Sequence, residues 1–256
     1  GVSMYSRAAA NASVPLGELS GDEGTSLRST SGGGGSPGVN ETWVVGGLNT
    51  DATFGGTLLD GNSFVKVGTG KWKLTGVNAH TGNTTISNGV IVLSTNSLGA
   101  NGDIQVSANI ILVAPARLDV TERTDASLQL GSAAIQTLSG NGSLLGNLVA
   151  GGLGTVSPGF SIGAITVSSN ASLVGAAYLV EINPAAAPNC DRIVAQNVDL
   201  TSTVITVTNL GNTLKSGDTF QIIQASGTIS GTPASVTGAL PPGPGASWDL
   251  TSLNVD

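Results

Sequence analysis

Turn residues divide almost the whole chain into short strand-like runs. Runs such as "SFVKVG", "KWKLTG", "RLDVT" and "AYLVEIN" hold about three to six residues each, and a new run starts every ~6 to 10 residues. Gly, Asn, Asp or Ser separates one run from the next. No glycine-free window of about eleven residues carries the i, i+3, i+4, i+7 pattern of a helix. The sequence therefore predicts an all-β protein.

The shortness of these runs favours one kind of β architecture. Strands of this length make poor hairpin partners, but they suit a solenoid in which each strand stacks on the next turn of the chain. We call one complete turn a rung. A parallel β-helix with rungs of about 18 to 22 residues is predicted, in roughly a dozen rungs. With ~4.8 Å between strands, the rod would be about 60 Å long. We expect residues 1–256 to form a single domain.

Composition and charge exclude several classes of protein. Only 10% of the residues are charged, but 39% are hydrophobic and the mean hydropathy is +0.24, which argues against disorder. The net charge is −7 with nine Lys and Arg, and the densest basic cluster is Lys66, Lys71 and Lys73. Three such charges are too few for nucleic-acid binding. Without a run of ~18 apolar residues, no membrane-spanning helix is expected.

Two segments depart from the strand pattern. "STSGGGGSPGVN" (29–40) is Gly/Ser-rich and is either a flexible loop protruding from the solenoid or a linker; we favour the loop. The segment 231–253 is Pro-rich, and proline is excluded from central strands. It is predicted to be a C-terminal wrap that caps an exposed rung.

One stretch repeats a spacing of glycine, asparagine and threonine. It runs from residue 66 to residue 93, "KVGTGKWKLTGVNAHTGNTTISNGVIVL", and it resembles the autotransporter-associated β-strand repeat. The matching positions are Lys66, Gly68, Gly70, Leu74, Gly76, Asn78, Thr81, Gly82, Thr84, Gly89 and Val92. Further on, "PGFSIG" is similar to a later section of the family, through Pro158, Gly159, Ser161 and Gly163.

The resemblance extends over about residues 44 to 256 and implies a structure more than an activity. It implies secretion and a right-handed, single-stranded parallel β-helix. We expect the matching residues to be structural, with glycines at corners and Thr and Asn in stacked ladders. His80 stands where the family usually has an aromatic residue. Within "TTISNGVIVLS", either Ile86, Val90 and Val92 face inward while Ser87 and Ile91 face outward, or the register is offset by a turn.

Histidine and cysteine supply few candidates for chemistry. His80 is the only histidine and could be a general base, a metal ligand, or a turn residue that stacks on neighbouring rungs. The stacking role is favoured, because no second His or Cys is present to share a metal with it. Cys190 is the only cysteine and is either an incidental thiol or an intermolecular link. The sequence therefore predicts no catalytic, cofactor-binding or metal-binding residue, and no cofactor is expected.

The carboxylates and tryptophans leave two further alternatives open. The densest group of charged residues along the chain consists of Asp119, Glu122, Arg123 and Asp125. We interpret it as a salt-bridged loop; the alternative is a contact to Ca²⁺ or to a sugar. A polysaccharide-active enzyme would need Asp119, Asp125 and Arg192 to meet across adjacent rungs. The three tryptophans are Trp43, Trp72 and Trp248. They could stack against sugars from the surface, or they could lie in the core and at the ends of the solenoid.

Taken together, the sequence predicts a non-enzymatic secreted protein. We expect a cell-surface stalk or an extracellular fibre or matrix subunit that associates head to tail or with other surface proteins. The alternative is an adhesin or glycan-binding passenger domain. A polysaccharide-active β-helix enzyme is the remote alternative.

Overall fold

The computed structural model describes residues 3–6, 11–29, 40–240 and 247–249, and these residues contain strands and turns but no helix. Strands that neighbour each other in a sheet pair in parallel, although strands of other sheets separate them along the chain. The predicted all-β parallel β-helix is therefore confirmed. Its right-handed winding and its extent as one domain stay predictions.

The longest sheet, which we call face 1, has ten strands, one from each rung. From the N-terminal end they are β2 (Ser13–Leu16), β4 (Thr42–Val45), β7 (Ser63–Lys66), β9 (Thr84–Ile86), β11 (Asn109–Leu112), β14 (Gln136–Gly140), β17 (Gly154–Pro158), β20 (Ala177–Ile182), β23 (Val204–Asn209) and β26 (Ser235–Gly238). At ~4.8 Å between strands, the described rungs make a stack about 43 Å tall.

Face 2 follows face 1 in each rung and has eight strands. They are β5 (Ala52–Phe54), β8 (Lys71–Leu74), β10 (Val90–Leu93), β12 (Arg117–Asp119), β15 (Ser143–Leu145), β18 (Ala164–Val167), β21 (Arg192–Ala195) and β24 (Ile223–Ala225). The chain then crosses to a third face before it returns to face 1.

Face 3 is divided into two sheets, one at each end of the stack. The first contains β1 (Ser3–Ser6), β3 (Ser26–Ser29) and β6 (Thr57–Leu58). The second contains β13 (Ser127–Leu130), β16 (Asn147–Ala150), β19 (Ala171–Ser172), β22 (Val198–Asp199) and β25 (Ile229–Ser230). Between the two sheets, the third-face segments of two rungs form only an isolated bridge, between Val77 and Asp103.

Rungs differ in length because their corner loops differ. The paired residues Gln136 and Gly154 are 18 positions apart, whereas Val204 and its partner Ser235 are 31 apart. The longer rungs explain why the described residues form ten strands on face 1, where the sequence predicted roughly a dozen rungs.

Apolar side chains at alternate positions fill the interior as continuous columns. On face 2 the registered residues Trp72, Ile91, Leu118, Leu144 and Val167 succeed one another in neighbouring strands. Each is at most 2% exposed. Burying one such side chain contributes about 1.5–3 kcal/mol, so the column stabilises the stacking of successive rungs.

The register of the stretch 84–93 follows the offset alternative. Ile91 is completely buried and belongs to the interior column, whereas Val90 is only half-buried. The assignment of Ile91 to the outside is therefore wrong. Gly89 adopts a left-handed backbone, with φ +67°, and the turn it makes shifts the in-out alternation by one residue.

The two irregular segments are described only in part. Residues 30–39 of the predicted loop at 29–40, and residues 241–246 and 250–253 of the predicted wrap at 231–253, lie outside the described residues. Within the wrap, Ser235–Gly238 is the last strand of face 1. Beyond it, Trp248 packs against Phe220 with ring centroids 6.2 Å apart. The loop and the wrap as wholes stay predictions.

Candidate functional site

Two glycines of the sequence motif and one glycine of the preceding rung stack at the corner between faces 1 and 2. Gly46, Gly68 and Gly89 follow one another in successive rungs with φ values of +108°, +67° and +67°. A Cβ on Gly68 would lie closer than 3.0 Å to the carbonyl oxygen of Gly46, and one on Gly89 would clash in the same way with the carbonyl oxygen of Gly68. The corner therefore excludes side chains for two reasons, the left-handed backbone and the approach of the preceding rung.

Three other motif glycines meet the preceding rung at a fixed spacing. Gly70, Gly76 and Gly82 each face the carbonyl oxygen of the residue 20 positions earlier, at Thr50, Gly56 and Asn62. A Cβ on any of the three would lie closer than 3.0 Å to that oxygen. The motif thus marks the points where two rungs come closest.

The motif lysine lies beneath the glycine corner. Lys66 is 1% exposed, and its Nζ donates to the carbonyl oxygens of Val67 at 2.5 Å and Gly68 at 3.0 Å. Burial lowers the pKa of this ammonium, against the attraction of Asp51. Because its donors bind the corner backbone, Lys66 acts as an internal brace.

Asn78 connects three consecutive rungs. Its Oδ1 accepts from the backbone N–H of Leu58 at 3.0 Å, and its Nδ2 donates to the carbonyl oxygens of Gly76 at 3.1 Å and Asp103 at 2.9 Å. The side chain is 2% exposed. The Asn78 side chain thus provides hydrogen-bond partners for backbone groups in the gap between the two sheets of face 3.

The same stretch of chain is the part that a protein-family comparison detects. Residues 64–93 match the passenger-associated-transport-repeat. The resemblance predicted from the sequence is thereby confirmed over this stretch. A comparison with curated proteins found no match.

His80 is part of the buried wall in the stretch 64–93 that matches the passenger-associated-transport-repeat. It is 1% exposed, and its ring meets Phe64 edge-on with centroids 4.8 Å apart. Its Nε2 lies 2.8 Å from the Thr84 hydroxyl, which lies 2.9 Å from the Ser107 hydroxyl. Burial lowers the pKa of His80 to about 4. The geometry is that of the stacking role, with a neutral imidazole sealed from solvent.

The remaining motif residues of the repeat also contact the wall. Leu74 is buried in the core, and Thr84 is buried beside His80. Thr81 is exposed, but its backbone N–H donates to Asp60 of the preceding rung at 2.9 Å. The structural role expected for these motif residues stays a prediction.

The "PGFSIG" segment forms a tight corner further along the stack. Pro158 ends β17, and Gly159 has φ +86° and donates to Gly140 at 2.7 Å. A Cβ on Gly159 would collide with the carbonyl oxygen of Ser161. Gly163 donates its N–H to the carboxylate of Asp191 at 2.8 Å.

The acidic group resolves into separate local contacts. Arg123 is 6% exposed and binds both carboxylate oxygens of Asp125, at 2.9 and 3.0 Å, and the Gly102 carbonyl. Glu122 pairs with Lys73 at 2.6 Å on the surface, and this pairing lowers the pKa of Glu122. The Asp119 carboxylate accepts hydrogen bonds from the backbone N–H and the hydroxyl of Thr121 in the same turn. This is the predicted salt-bridged loop, except that Arg123 is buried.

Arg192 lies far from this loop. Its strand is the third after β12 on face 2, which separates it from Asp119 by about 14 Å along the stack. Its guanidinium donates to Gln224 at 2.9 Å. The three groups that a polysaccharide-active site would need are therefore not brought together.

The tryptophans and the cysteine are mostly interior residues. Trp43 and Trp72 are 2% and 1% exposed, so neither offers a ring to a sugar. Trp248 is partly buried at the C-terminal end of the stack. Cys190 is 1% exposed, which disfavours the intermolecular link, and burial raises the pKa of its thiol.

Two buried polar groups carry no signal in the strand pattern. Glu41 and Asn62 meet Ser29 inside the N-terminal rungs, where the Ser29 hydroxyl donates to Glu41 at 2.9 Å. Asp191 accepts from the backbone of Gly163 and Glu181, and burial raises its pKa to about 6. Both groups tie loops to strands.

The described residues hold no group of three or more His, Cys, Asp or Glu side chains placed to bind a metal ion. Within the same ranges, no helix has the length and apolar character needed to cross a membrane. The motif side chains contact the backbone of their own rung or of neighbouring rungs, and these contacts hold one segment of backbone against another.

Proposed function

We propose that this chain is a non-enzymatic structural β-helix, secreted to the cell surface or beyond, where it serves as a stalk or as a fibre or matrix subunit. The observation that carries the proposal is the use of the motif residues. Gly68, Gly76, Lys66 and Asn78 are all engaged by the backbone of their own or adjacent rungs. Residues used in this way stabilise the stack of rungs, so the partners of the protein would be determined by the other side chains on its surface.

Head-to-tail association of copies is the assembly that we propose. Within the described residues, β26 pairs only with β23, and at the other end of face 1 β2 pairs only with β4. Strand edges of this kind present unpaired N–H and C=O groups. A β2 strand from a second copy can extend face 1 beyond β26, and because the contact is heterologous it propagates.

Electron microscopy of the purified chain over a range of concentrations tests the assembly. We expect rods whose length increases with concentration in steps of one molecule. Thr237→Lys places a charge on the terminal strand and should keep the rods short, whereas Thr208→Lys, an exposed position on the preceding strand, should leave growth unchanged. Rods of a single length at every concentration in the unaltered protein would contradict the assembly.

Two of the tryptophans that the adhesin alternative would use to stack against sugars are not accessible. Trp43 and Trp72 are core residues, so a glycan surface would need other side chains. A glycan array probed with the purified chain tests this alternative, and reproducible binding to one class of glycan would replace the purely structural proposal.

A further inference from the structure

The core of the stack is open at its C-terminal end, beyond β26. Val236 faces inward from β26 and is only half-buried, whereas its registered neighbour Ile205 in the preceding rung is completely buried. Among the described residues no strand of face 1 follows β26, so no further rung covers this column of side chains. Apolar side chains at such an end favour any group that removes them from water.

Trp248 covers part of this open end. Its indole packs against the ring of Phe220 at 75°, with the ring centroids 6.2 Å apart. Both rings border a cavity of about 230 Å³, whose other walls include Ile205, Val207 and Val236. Because these aliphatic side chains point into the core, Trp248 lies over the end of the core and not on the outer side of a face.

The cover that Trp248 provides is weak for two reasons. The cavity beside it is space that the indole does not occupy, so the aliphatic walls there lack packing contacts with the indole. The indole nitrogen is buried without an acceptor among the described residues, and burying an unpaired donor costs free energy. An apolar surface that fits the end better can therefore displace Trp248.

The N-terminal end of the stack presents a matching apolar surface. Val14 and Leu16 are the inward side chains of β2 and are half-buried, whereas their registered partners in the next rung, Trp43 and Val45, are at most 2% exposed. Val14 begins the interior column that ends at Val236. When a second copy extends face 1 in this register, its Val14 continues that column.

We propose that the open end at β26 is the surface on which the N-terminal rung of a second copy docks, and that Trp248 must leave this surface first. The docking rests on the head-to-tail assembly proposed above, to which it adds a competitor within the same chain. The indole and the incoming rung exclude each other because both cover the inward side chains of β23 and β26. Trp248 therefore raises the concentration at which rods begin to grow.

Light scattering from Trp248→Ala over a range of concentrations tests the proposal. We expect rods at a concentration about tenfold lower than for the unaltered protein, because the end that can bind a copy is then open in every molecule. Phe160→Ala is the matched control: Phe160 is an aromatic residue, 64% exposed, between β17 and β18, and its loss should leave that concentration unchanged. An equal or higher concentration for Trp248→Ala would overturn the proposal.

Iodide quenching of tryptophan fluorescence in the unaltered protein gives a second measurement that needs no variant. Trp43 and Trp72 are at most 2% exposed, so a change in quenching on assembly reports on Trp248. We expect quenching to increase as rods form, because displacement brings the indole into solvent. A decrease, or no change, would show that Trp248 stays in place when the second copy binds, and would overturn the proposal.

The role of Trp248 and the assembly itself can fail separately. Rods of the unaltered protein and of Trp248→Ala at the same concentration would overturn the role of Trp248 and leave head-to-tail assembly standing. If neither protein forms rods at any concentration, the assembly is wrong, and the docking surface at β26 is wrong with it.

Discussion

The side-chain oxygen of Asn78 accepts a hydrogen bond from the backbone N–H of Leu58, in the preceding rung, at 3.0 Å. The amide nitrogen of the same side chain donates to Asp103, in the following rung, at 2.9 Å. One buried side chain thus joins three turns of the solenoid at the place where face 3 has no regular strand. Within the stretch that matches the passenger-associated-transport-repeat, this contact therefore serves the stacking of rungs.

Replacing Asn78 should destabilise the protein markedly. Asn78→Leu leaves the N–H of Leu58 and the carbonyl oxygens of Gly76 and Asp103 without this partner, and each unsatisfied buried group costs about 1–3 kcal/mol. We expect a loss of about 3 kcal/mol in urea unfolding. Asn212→Ala, at an exposed residue, is the control and should cost less than about 0.5 kcal/mol. Similar losses for both would show that the three-rung contact is not important for stability.

Acid should destabilise the protein through His80. Its pKa is about 4 in the folded state against 6.5 for an unperturbed imidazole, so between these values the unfolded chain binds the proton and the folded chain does not. The stability from this residue is full above pH 6.5 and falls by about 3 kcal/mol as the pH drops to 4.

The variant His80→Phe isolates this effect. Asp191, whose raised pKa of about 6 acts in the opposite direction, is present in both proteins and cancels from the difference. Unfolding free energies at several pH values should decrease more steeply below pH 6.5 for the unaltered protein than for the variant. Parallel pH profiles would mean that His80 is protonated in the folded state as readily as in the unfolded chain.

The two ion pairs of the charged loop should differ in importance. Asp125→Asn deprives the buried Arg123 of its carboxylate and should cost about 2 kcal/mol or more. Glu122→Gln removes a pair whose side chains are 37% and 47% exposed, and it should cost less than about 1 kcal/mol. Thermal unfolding of the two variants under the same conditions checks the order, and a reversed order would show that Arg123 finds another partner.

The architecture could be predicted from the sequence because the solenoid signal is local. Turn residues recur at short intervals, and the glycines of the motif report directly on the approach of the preceding rung, as at Gly76. The stacking of His80 followed from the aromatic residue usual at its position.

The side-chain register and the polar interior could not be predicted. Whether Ile91 faces inward depends on how many residues the turn at Gly89 consumes, and the sequence does not specify that number. Glu41 and Asp191 are buried by contacts with residues distant in the chain, and neither has a local pattern that marks burial.

The central claim is that the motif glycines are required by rung-to-rung contact, and a pair of glycine substitutions tests it most directly. Gly68 and Gly175 have similar left-handed φ values, +67° and +73°. A Cβ on Gly68 would clash with the Gly46 carbonyl oxygen, whereas one on Gly175 would meet nothing within 4 Å. Alanine at either residue incurs the backbone cost of about 1–2 kcal/mol.

The unfolding free energies of Gly68→Ala and Gly175→Ala, measured by urea denaturation, isolate the cost of the contact. The account predicts that Gly68→Ala loses at least about 2 kcal/mol more than Gly175→Ala, because the rungs must separate to admit the methyl group. Equal losses would contradict it, since they would show that the motif glycine is needed for its backbone conformation alone.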